Sequence, residues 1–211
     1  MTLSVCRYQE QEVLWPSSGR HILAQYDADS VVVYQAFHPR IAVEAVRLGR
    51  FGGSFSLSRM SWIKPNFLWM MFRCGWATKE NQESVLAISL KRAAFDLILN
   101  QAIASAFDPS RYPTQAEWSA ALVQSDVRLQ WDPDHAPDGS KCERRAIQLG
   151  LRGDALKHYT SDWVVSIEDI TAFVTEQSHH VQAGDLAQLE TPCEAVYPAS
   201  EAQFVQLGMA R

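Results

Sequence analysis

The sequence predicts an α+β fold, a single domain with a mixed, largely antiparallel sheet flanked by helices. Strand-like and helix-like segments follow one another without the regular alternation of a doubly wound parallel sheet. No linker-like stretch divides the 211 residues, a length that suits one large domain or two small ones. Hydrophobic residues make up 47% of the chain and charged residues 20%, which allows a substantial core.

The first clear elements are a strand and a helix that follow one another. A β-branched and aromatic run predicts a buried strand at 30–37. Pro39 suits the first turn of a helix, and Gly49 is placed to end that helix. Residues 54–58, which follow a pair of glycines, are predicted to form a short extended piece.

The remaining elements are predicted from periodicity, capping residues and turn residues. A capping-box pattern, Thr114 with Glu117, starts one of the helices. Pro133, Pro137 and Gly139 predict a loop without regular structure between two hairpin strands. The predicted elements are a helix from Pro65 to Gly75, a strand at 84–90, helices at 92–107 and 114–124, strands at 127–131 and 144–151, a short helix from Gly153, a strand at 163–170, and amphipathic pieces at 171–182 and 185–189.

Composition excludes several classes of protein. A net charge of -5 argues against bulk electrostatic coating of nucleic acid or of an anionic membrane, although a local basic cleft remains open. The chain shows no signal-peptide pattern and no run of about 18 apolar residues, so we expect a cytoplasmic protein without a membrane partner. The four cysteines lie far apart without a zinc-site spacing, and we expect reduced, mostly buried thiols.

One segment, residues 56–76, combines cations with aromatic side chains, and we call it the basic-aromatic segment. Arg59, Lys64 and Arg73 lie among aromatic residues that include Trp62 and Trp69. Stacked aromatic faces can bind a base while the cations bind phosphate oxygens, which is typical of nucleotide and single-stranded nucleic-acid sites. The alternative is a buried helix whose aromatics only form core.

Polar groups inside this segment favour the functional interpretation. Ser61 and Asn66 add a hydroxyl and an amide that a pure core segment would not need. Lys64 is a conceivable covalent nucleophile, although the KxDG motif of nucleotidyl ligases is absent.

Two further constellations carry candidate residues. Asp132, Asp134 and His135 could bind a divalent cation or act as acid and base, or could be ordinary turn residues. They are followed by three arginines that are candidates for ligand contacts. These arginines are Arg144, Arg145 and Arg152.

The upstream constellation contains candidate catalytic groups on and beside the first strand. Tyr34 and Gln35 point to opposite faces of that strand, so only one of them can line a cleft. His21 and His38 could act as general acid or base, or could simply be hydrogen bonded.

At these residues the sequence resembles the bacterial and fungal family of unknown function called DUF4291. The resemblance covers nearly the whole chain, and the long central motif is its most specific part. It is carried by GRHILAQYD from Gly19, VVVYQAF from Val31, FSLSRMSWIKPNFLWMMFRCGW from Phe55, QWDPDH from Gln130 and RRAIQLGLRG from Arg144. It implies no established reaction.

The unit from Val31 to Phe51 is also similar to the opening of ADP-ribosyltransferase-type domains, which bind NAD in the cleft of a split sheet. That likeness implies NAD as a cofactor and a late-strand Glu or Gln, for which Glu168 and Glu194 remain unassigned alternatives. The usual first-strand His or Arg is replaced here by Tyr34 or Gln35.

We therefore expect an enzyme that acts on a nucleotide or nucleic acid, with an ADP-ribosyltransferase-like transferase as one form of it. The alternative is a non-catalytic module that binds single-stranded nucleic acid, and a third hypothesis is an interaction protein whose tryptophans are all core. An enzyme should enclose the cations in a deep pocket with a titratable group, whereas a binding module should spread them along an open groove.

Overall fold

The computed structural model describes residues 3–210, in which helices and strands are intermixed as an α+β fold requires. The helices are α1 (Tyr8–Glu12), α2 (Pro39–Leu48), α3 (Phe67–Cys74), α4 (Arg92–Gln101), α5 (Gln115–Gln124), α6 (Gly153–Tyr159), α7 (Thr171–Ala183) and α8 (Glu201–Leu207). The strands are β1 (Val5–Arg7), β2 (Gly19–Arg20), β3 (Leu23–Ala24), β4 (Ser30–Phe37), β5 (Ser61–Ile63), β6 (Ser84–Lys91), β7 (Ala102–Ala104), β8 (Val127–His135), β9 (Lys141–Leu151), β10 (Val164–Asp169), β11 (Glu190–Pro192) and β12 (Ala195–Val196). Among the described residues, no helix is long and apolar enough to cross a membrane.

Two larger sheets organise the described part of the chain. One has the order β10-β6-β4 and is antiparallel throughout. The other has the order β2-β9-β8-β7, and β5 pairs with β9 as a further strand. Its pairs β2–β9 and β7–β8 are parallel, whereas β8–β9 and β5–β9 are antiparallel. The predicted mixed, largely antiparallel arrangement is confirmed.

Strand β4 separates two hydrophobic cores because its side chains alternate between its two faces. Val31 and Val33 belong to the first core, which also contains apolar side chains of β8 and β9 from the other large sheet. Val32 and Tyr34 belong to the second core, which contains the apolar face of α3. The burial of alternate residues on both faces explains why β4 reads as a continuous apolar run.

The predicted boundaries of α2 and the predicted end of α3 at Gly75 are confirmed, whereas α3 begins at Phe67 and not at Pro65. Pro39 opens α2, and Gly49 ends it in the left-handed conformation at φ 64°. Asn66 caps α3 by accepting a hydrogen bond from the Trp69 backbone N–H, and Gly75 ends that helix at φ 60°. These glycines adopt positive φ without the steric cost that a Cβ would impose.

Three predicted elements are wrong because strand pairing or turns override local pattern. Residues 54–58 form turns, and the extended strand is instead β5, which pairs with β9. The helix predicted at 92–107 ends at Gln101, since Ala102–Ala104 pairs with β8. The piece predicted at 185–189 is a turn region.

Strand β8 also extends further than the prolines predicted. It runs through Pro133 to His135, and its register with β9 shifts between these two residues. Proline is tolerated in a strand where the ladder is interrupted by such an irregularity. The loop without regular structure is therefore shorter than expected.

A disulfide between Cys6 and Cys193 contradicts the expectation that all the cysteines are reduced. Their Cα atoms lie 5.2 Å apart, within the usual range for a disulfide, and 187 residues separate them in sequence. Cys74 and Cys142 are free thiols. The bond joins the two ends of the described chain beside the β1–β11 pair.

Removing this bond should destabilise the fold. A Cys6→Ser, Cys193→Ser double variant should lose about 2 to 4 kcal/mol in the free energy of unfolding, because the crosslink closes a very long loop in the unfolded chain. Urea unfolding measures the loss. Cys142→Ser, which removes a half-buried free thiol, is the control. Equal stability of the double variant and the parent would show that the crosslink contributes nothing.

Candidate functional site

The two larger sheets are joined through Tyr34 on β4 and Lys64, which follows β5. The Tyr34 N–H donates to the Lys64 carbonyl at 2.7 Å, and the Lys64 N–H donates to the Tyr34 carbonyl at 3.3 Å. Gln35 extends the joint by donating to Ser61 Oγ at 2.8 Å and to the Trp62 carbonyl at 3.1 Å. The hydroxyl of Tyr159 donates to Gln35 Oε1 at 2.6 Å, so both ends of this amide are engaged.

A polar cleft lies beside this joint. Trp62 on β5 and Lys64, which follows that strand, lie on one face and line the cleft. Ser61 and Ile63 lie on the opposite face and are buried. The cleft has a volume of about 330 Å³ and is lined by Gln35, Ala36, Trp62, Lys64, Met70, Arg73, Gln82, Gln130 and Gln148. It shares Gln35, Ala36, Trp62, Arg73 and Gln82 with a wider cavity of about 640 Å³, which forms its mouth.

Lys64 is the buried cation of the cleft. The residue is only 4% exposed, and within residues 3–210 its amine has no hydrogen-bond partner and no ion pair. Burial, and after it the nearby positive charge of Arg73, lower the pKa of Lys64 to about 8, while Asp132 and Cys74 oppose the shift. The amine is therefore close to its titration point near neutral pH.

Asp132 is satisfied by amides. Gln130 donates to its Oδ1 at 2.9 Å, and Gln148 donates to its Oδ2 at 2.6 Å. Gln130 and Gln148 face each other across the β8–β9 ladder, which puts all three side chains on one face. This carboxylate is held by hydrogen bonds and forms no ion pair with Lys64 among the described residues.

Trp62 is positioned by a glycine on the neighbouring strand. Gly150 pairs with Trp62 in the β5–β9 ladder. A Cβ at Gly150 would come within 3.0 Å of the Trp62 ring and 2.6 Å of Met60 Sδ. The missing side chain thus lets the indole lie directly over the strand while one side of the ring borders the cleft.

The other predicted cations also reach this region. Arg73 lies three residues after Met70 on α3, and both side chains line the cleft. Arg59, Ser61 and His38 line the mouth. Lys64 and Arg73 therefore line the cleft beside Trp62, and Arg59 lies in the wider cavity that shares Arg73 and Trp62 with the cleft.

Three residues predicted for the site serve the fold instead. The Tyr34 side chain is fully buried in the second core, on the face of β4 opposite to Gln35. Asn66 is buried as the cap of α3. Trp69 is 7% exposed and lies in a stack with Phe72 and His135, away from the cleft lining.

The three downstream arginines do not converge on the cleft. Arg144 is buried, pairs with Asp134 at 2.7 Å and lies over the ring of Trp15. Arg152 donates to backbone carbonyls at the end of α5, including that of Val123 at 2.8 Å. Arg145 is exposed and alternates with the cleft-facing residues of β9. Strand alternation and local charge pairing explain these positions.

Asp134 and His135, which were predicted with Asp132 as a metal or acid-base group, do not line the cleft. Asp134 is committed to Arg144, and the His135 ring is stacked on Phe72 with a centroid distance of 3.5 Å. Burial lowers the pKa of His135. Within residues 3–210, no group of three His, Cys, Asp or Glu side chains is placed to bind a metal ion. His21 lies outside the cleft lining.

Some cleft residues were not identified as site residues from the sequence. Gln130 and Gln148 each lie in a strand that was predicted from the sequence. Only the register of the β8–β9 ladder shows that their side chains meet. Met70 contributes to both the second core and the cleft. Gln82 lies between elements and carries no signal in its sequence context.

The fold and the site together define an α+β protein with a polar, cationic cleft where two sheets join. Residues 21–197 match the family described as "Domain of unknown function (DUF4291)", and the chain belongs to that family. No curated protein matches the chain.

Helix α3, which carries Arg73, is anchored by a buried carboxyl group. Glu194 Oε1 accepts the Phe67 backbone N–H at 2.7 Å, and Oε2 accepts from Asn66 Nδ2 at 3.3 Å. Complete burial raises the pKa of Glu194 well above its ordinary value, and Asp134 adds to the effect. Glu194 is therefore neutral at pH values where an exposed glutamate is ionised.

Ionisation of Glu194 should destabilise the fold as the pH rises. Its pKa in the folded state lies above the ordinary value of 4.5, so the unfolded chain releases this proton first and stability falls with increasing pH above that value. Glu194→Gln cannot ionise, so its free energy of unfolding should gain on the parent by up to about 1.4 kcal/mol per pH unit. Urea unfolding from about pH 5 to about pH 8 measures this difference.

At the lowest pH, the difference in free energy of unfolding between Glu194→Gln and the parent measures the lost contact with Asn66. The change of this difference with pH measures the ionisation of Glu194. The exposed Glu143→Gln is the matched control and should follow the parent at every pH. A Glu194→Gln variant with the same pH dependence as the parent would contradict the assignment.

Proposed function

We propose that this protein is an enzyme that acts on a nucleotide or nucleic acid bound in the cleft. The observation that carries the proposal is Lys64, a residue only 4% exposed that lines the cleft and forms no ion pair within the described chain. A buried ammonium without a partner costs several kcal/mol relative to water. A phosphate group in the cleft would offset that cost, because it supplies a negative charge and hydrogen-bond acceptors.

The neighbouring side chains suit the remaining parts of a nucleotide. Arg73 and Arg59 present guanidinium groups that can bind further phosphate oxygens in a bidentate geometry. Trp62, supported on Gly150, offers a ring on which a base can stack. The amides of Gln130 and Gln148 complete a polar floor.

Lys64 is the group that we assign to catalysis. An amine with a pKa of about 8 exchanges a proton near neutral pH, which suits general acid-base catalysis beside a phosphate. Gln35 positions Ser61 and Trp62 and does not act on the substrate, because both ends of its amide are already hydrogen bonded. His38 lies at the mouth, where it can contact the outer part of a ligand.

The alternative of a non-catalytic module is less well supported. Its cations should lie along an open groove, whereas Lys64 is only 4% exposed and has a pKa of about 8. ADP-ribosyl transfer also has little support, because neither Glu168, which is exposed on β10, nor Glu194, which is buried beneath α3, lines the cleft. NAD remains one of the nucleotides to test.

Lys64→Met should weaken nucleotide binding about tenfold to hundredfold, the usual range for losing a charged hydrogen bond. Calorimetric titration with AMP, ATP and NAD measures the affinity. The parent's affinity should also fall as the pH rises through about 8, because the protonated amine binds phosphate more strongly.

Lys141→Met removes an equal charge from an exposed position on β9 and serves as the control. The proposal fails if none of the three nucleotides binds the parent, or if Lys64→Met and Lys141→Met bind equally well. Turnover of the bound nucleotide or of an oligonucleotide, absent in Lys64→Met, would distinguish an enzyme from a binding module.

A further inference from the structure

The cleft does not end at its mouth but continues across the surface of α2. The mouth shares His38 and Ile41 with a shallow depression, and that depression shares Arg40 and Ser54 with the next one. The last depression reaches Arg47. A path of adjoining depressions therefore leads from Lys64 to Arg47, near the C-terminal end of α2.

Cations recur along this path, and Glu80 is an acidic side chain that lines its mouth. Arg73 and Arg59 flank its inner part, and Arg40 and Arg47 flank its outer part. Arg40 and Arg47 are seven residues apart on α2, so they lie on nearly the same helical face and about 10 Å apart along its axis. Within residues 3–210 neither arginine forms an ion pair, and both are exposed.

Glu44, which lies between Arg40 and Arg47 on α2, forms a structural hydrogen bond with the following turn. Glu44 accepts a hydrogen bond from the Ser54 backbone N–H at 2.8 Å, and this bond lowers the pKa of Glu44. Gly53 has φ 50°, and a Cβ there would overlap the Glu44 carboxylate. The carboxylate is thereby held against the 53–54 turn, and it neutralises the outer path only in part.

We infer that the substrate is a single-stranded polynucleotide, with its terminal nucleotide in the cleft and its following phosphates along the outer path over α2. This inference rests on the proposed function and extends it. A free nucleotide would use the cleft alone, whose volume of about 330 Å³ is at the lower end of ligand pockets, and would leave the outer arginines without a role. A duplex keeps its bases paired and stacked, so they are not free to stack on the Trp62 ring, and an acidic peptide carries no base.

Affinity should therefore increase with chain length, and the increase should depend on α2. Oligoadenylates of one to about eight nucleotides, as RNA and as DNA, are titrated by fluorescence anisotropy against the parent and an Arg40→Ala, Arg47→Ala double variant. We expect the double variant to bind AMP like the parent but to lose about tenfold in affinity for the longer strands. The dependence of log affinity on log salt should become shallower by about 0.7 for each phosphate contact removed.

Arg145→Ala is the matched control, since it removes an exposed arginine from the other side of β9. The inference is overturned if strands bind no better than AMP, if the double variant and Arg145→Ala bind strands equally, or if an oligoglutamate peptide competes as well as the strands do. In each of those cases AMP binding that depends on Lys64 leaves the proposed function standing. Loss of AMP binding by the parent would overturn both. The RNA and DNA series show which polynucleotide is preferred.

Discussion

The cleft depends on one pair of backbone hydrogen bonds, between Tyr34 and Lys64, where the two larger sheets meet. These bonds fix the backbone of Lys64 against β4, so its side chain is directed onto the polar face that β5, β8 and β9 share. On one side of the joint Tyr34 is packed in the second core, and on the other Ile63 is packed in the first. The amine can therefore reach water only through the cleft, and its desolvation follows from the fold.

Local sequence signals were sufficient for helix α2 and for the cations of the basic-aromatic segment, but they missed α1 and α8 and made α4 too long. Pro39 and Gly49 bound α2 as predicted, because proline and positive-φ glycine act within a single turn. The convergence of Arg59, Lys64 and Arg73 could also be predicted, since all three lie within one short segment. Residues of one short segment that spans a strand and the following helix lie close together in space, because few residues separate them along the chain.

Features that depend on distant pairing could not be predicted. Gln148 and Arg144 lie on the same face of β9, but only Gln148 lines the cleft. Arg144 instead forms an ion pair with Asp134 further along the ladder. Strand β5 is only three residues long and is defined by its distant partner β9. The bond between Cys6 and Cys193 likewise joins the two ends of the described chain, and spacing alone carries no information about such a contact.

The titration of Lys64 tests most directly whether this side chain is a desolvated amine that faces a phosphate-binding cleft. Amine-specific acetylation across a pH series, followed by mass spectrometry of the Lys64 peptide, measures the pKa of this side chain. We expect the labelling to follow a pKa of about 8, and we expect an added nucleotide to protect Lys64 from acetylation. An ordinary lysine pKa of 10.5, or labelling that nucleotides do not change, would contradict the assignment of Lys64 to a phosphate-binding cleft.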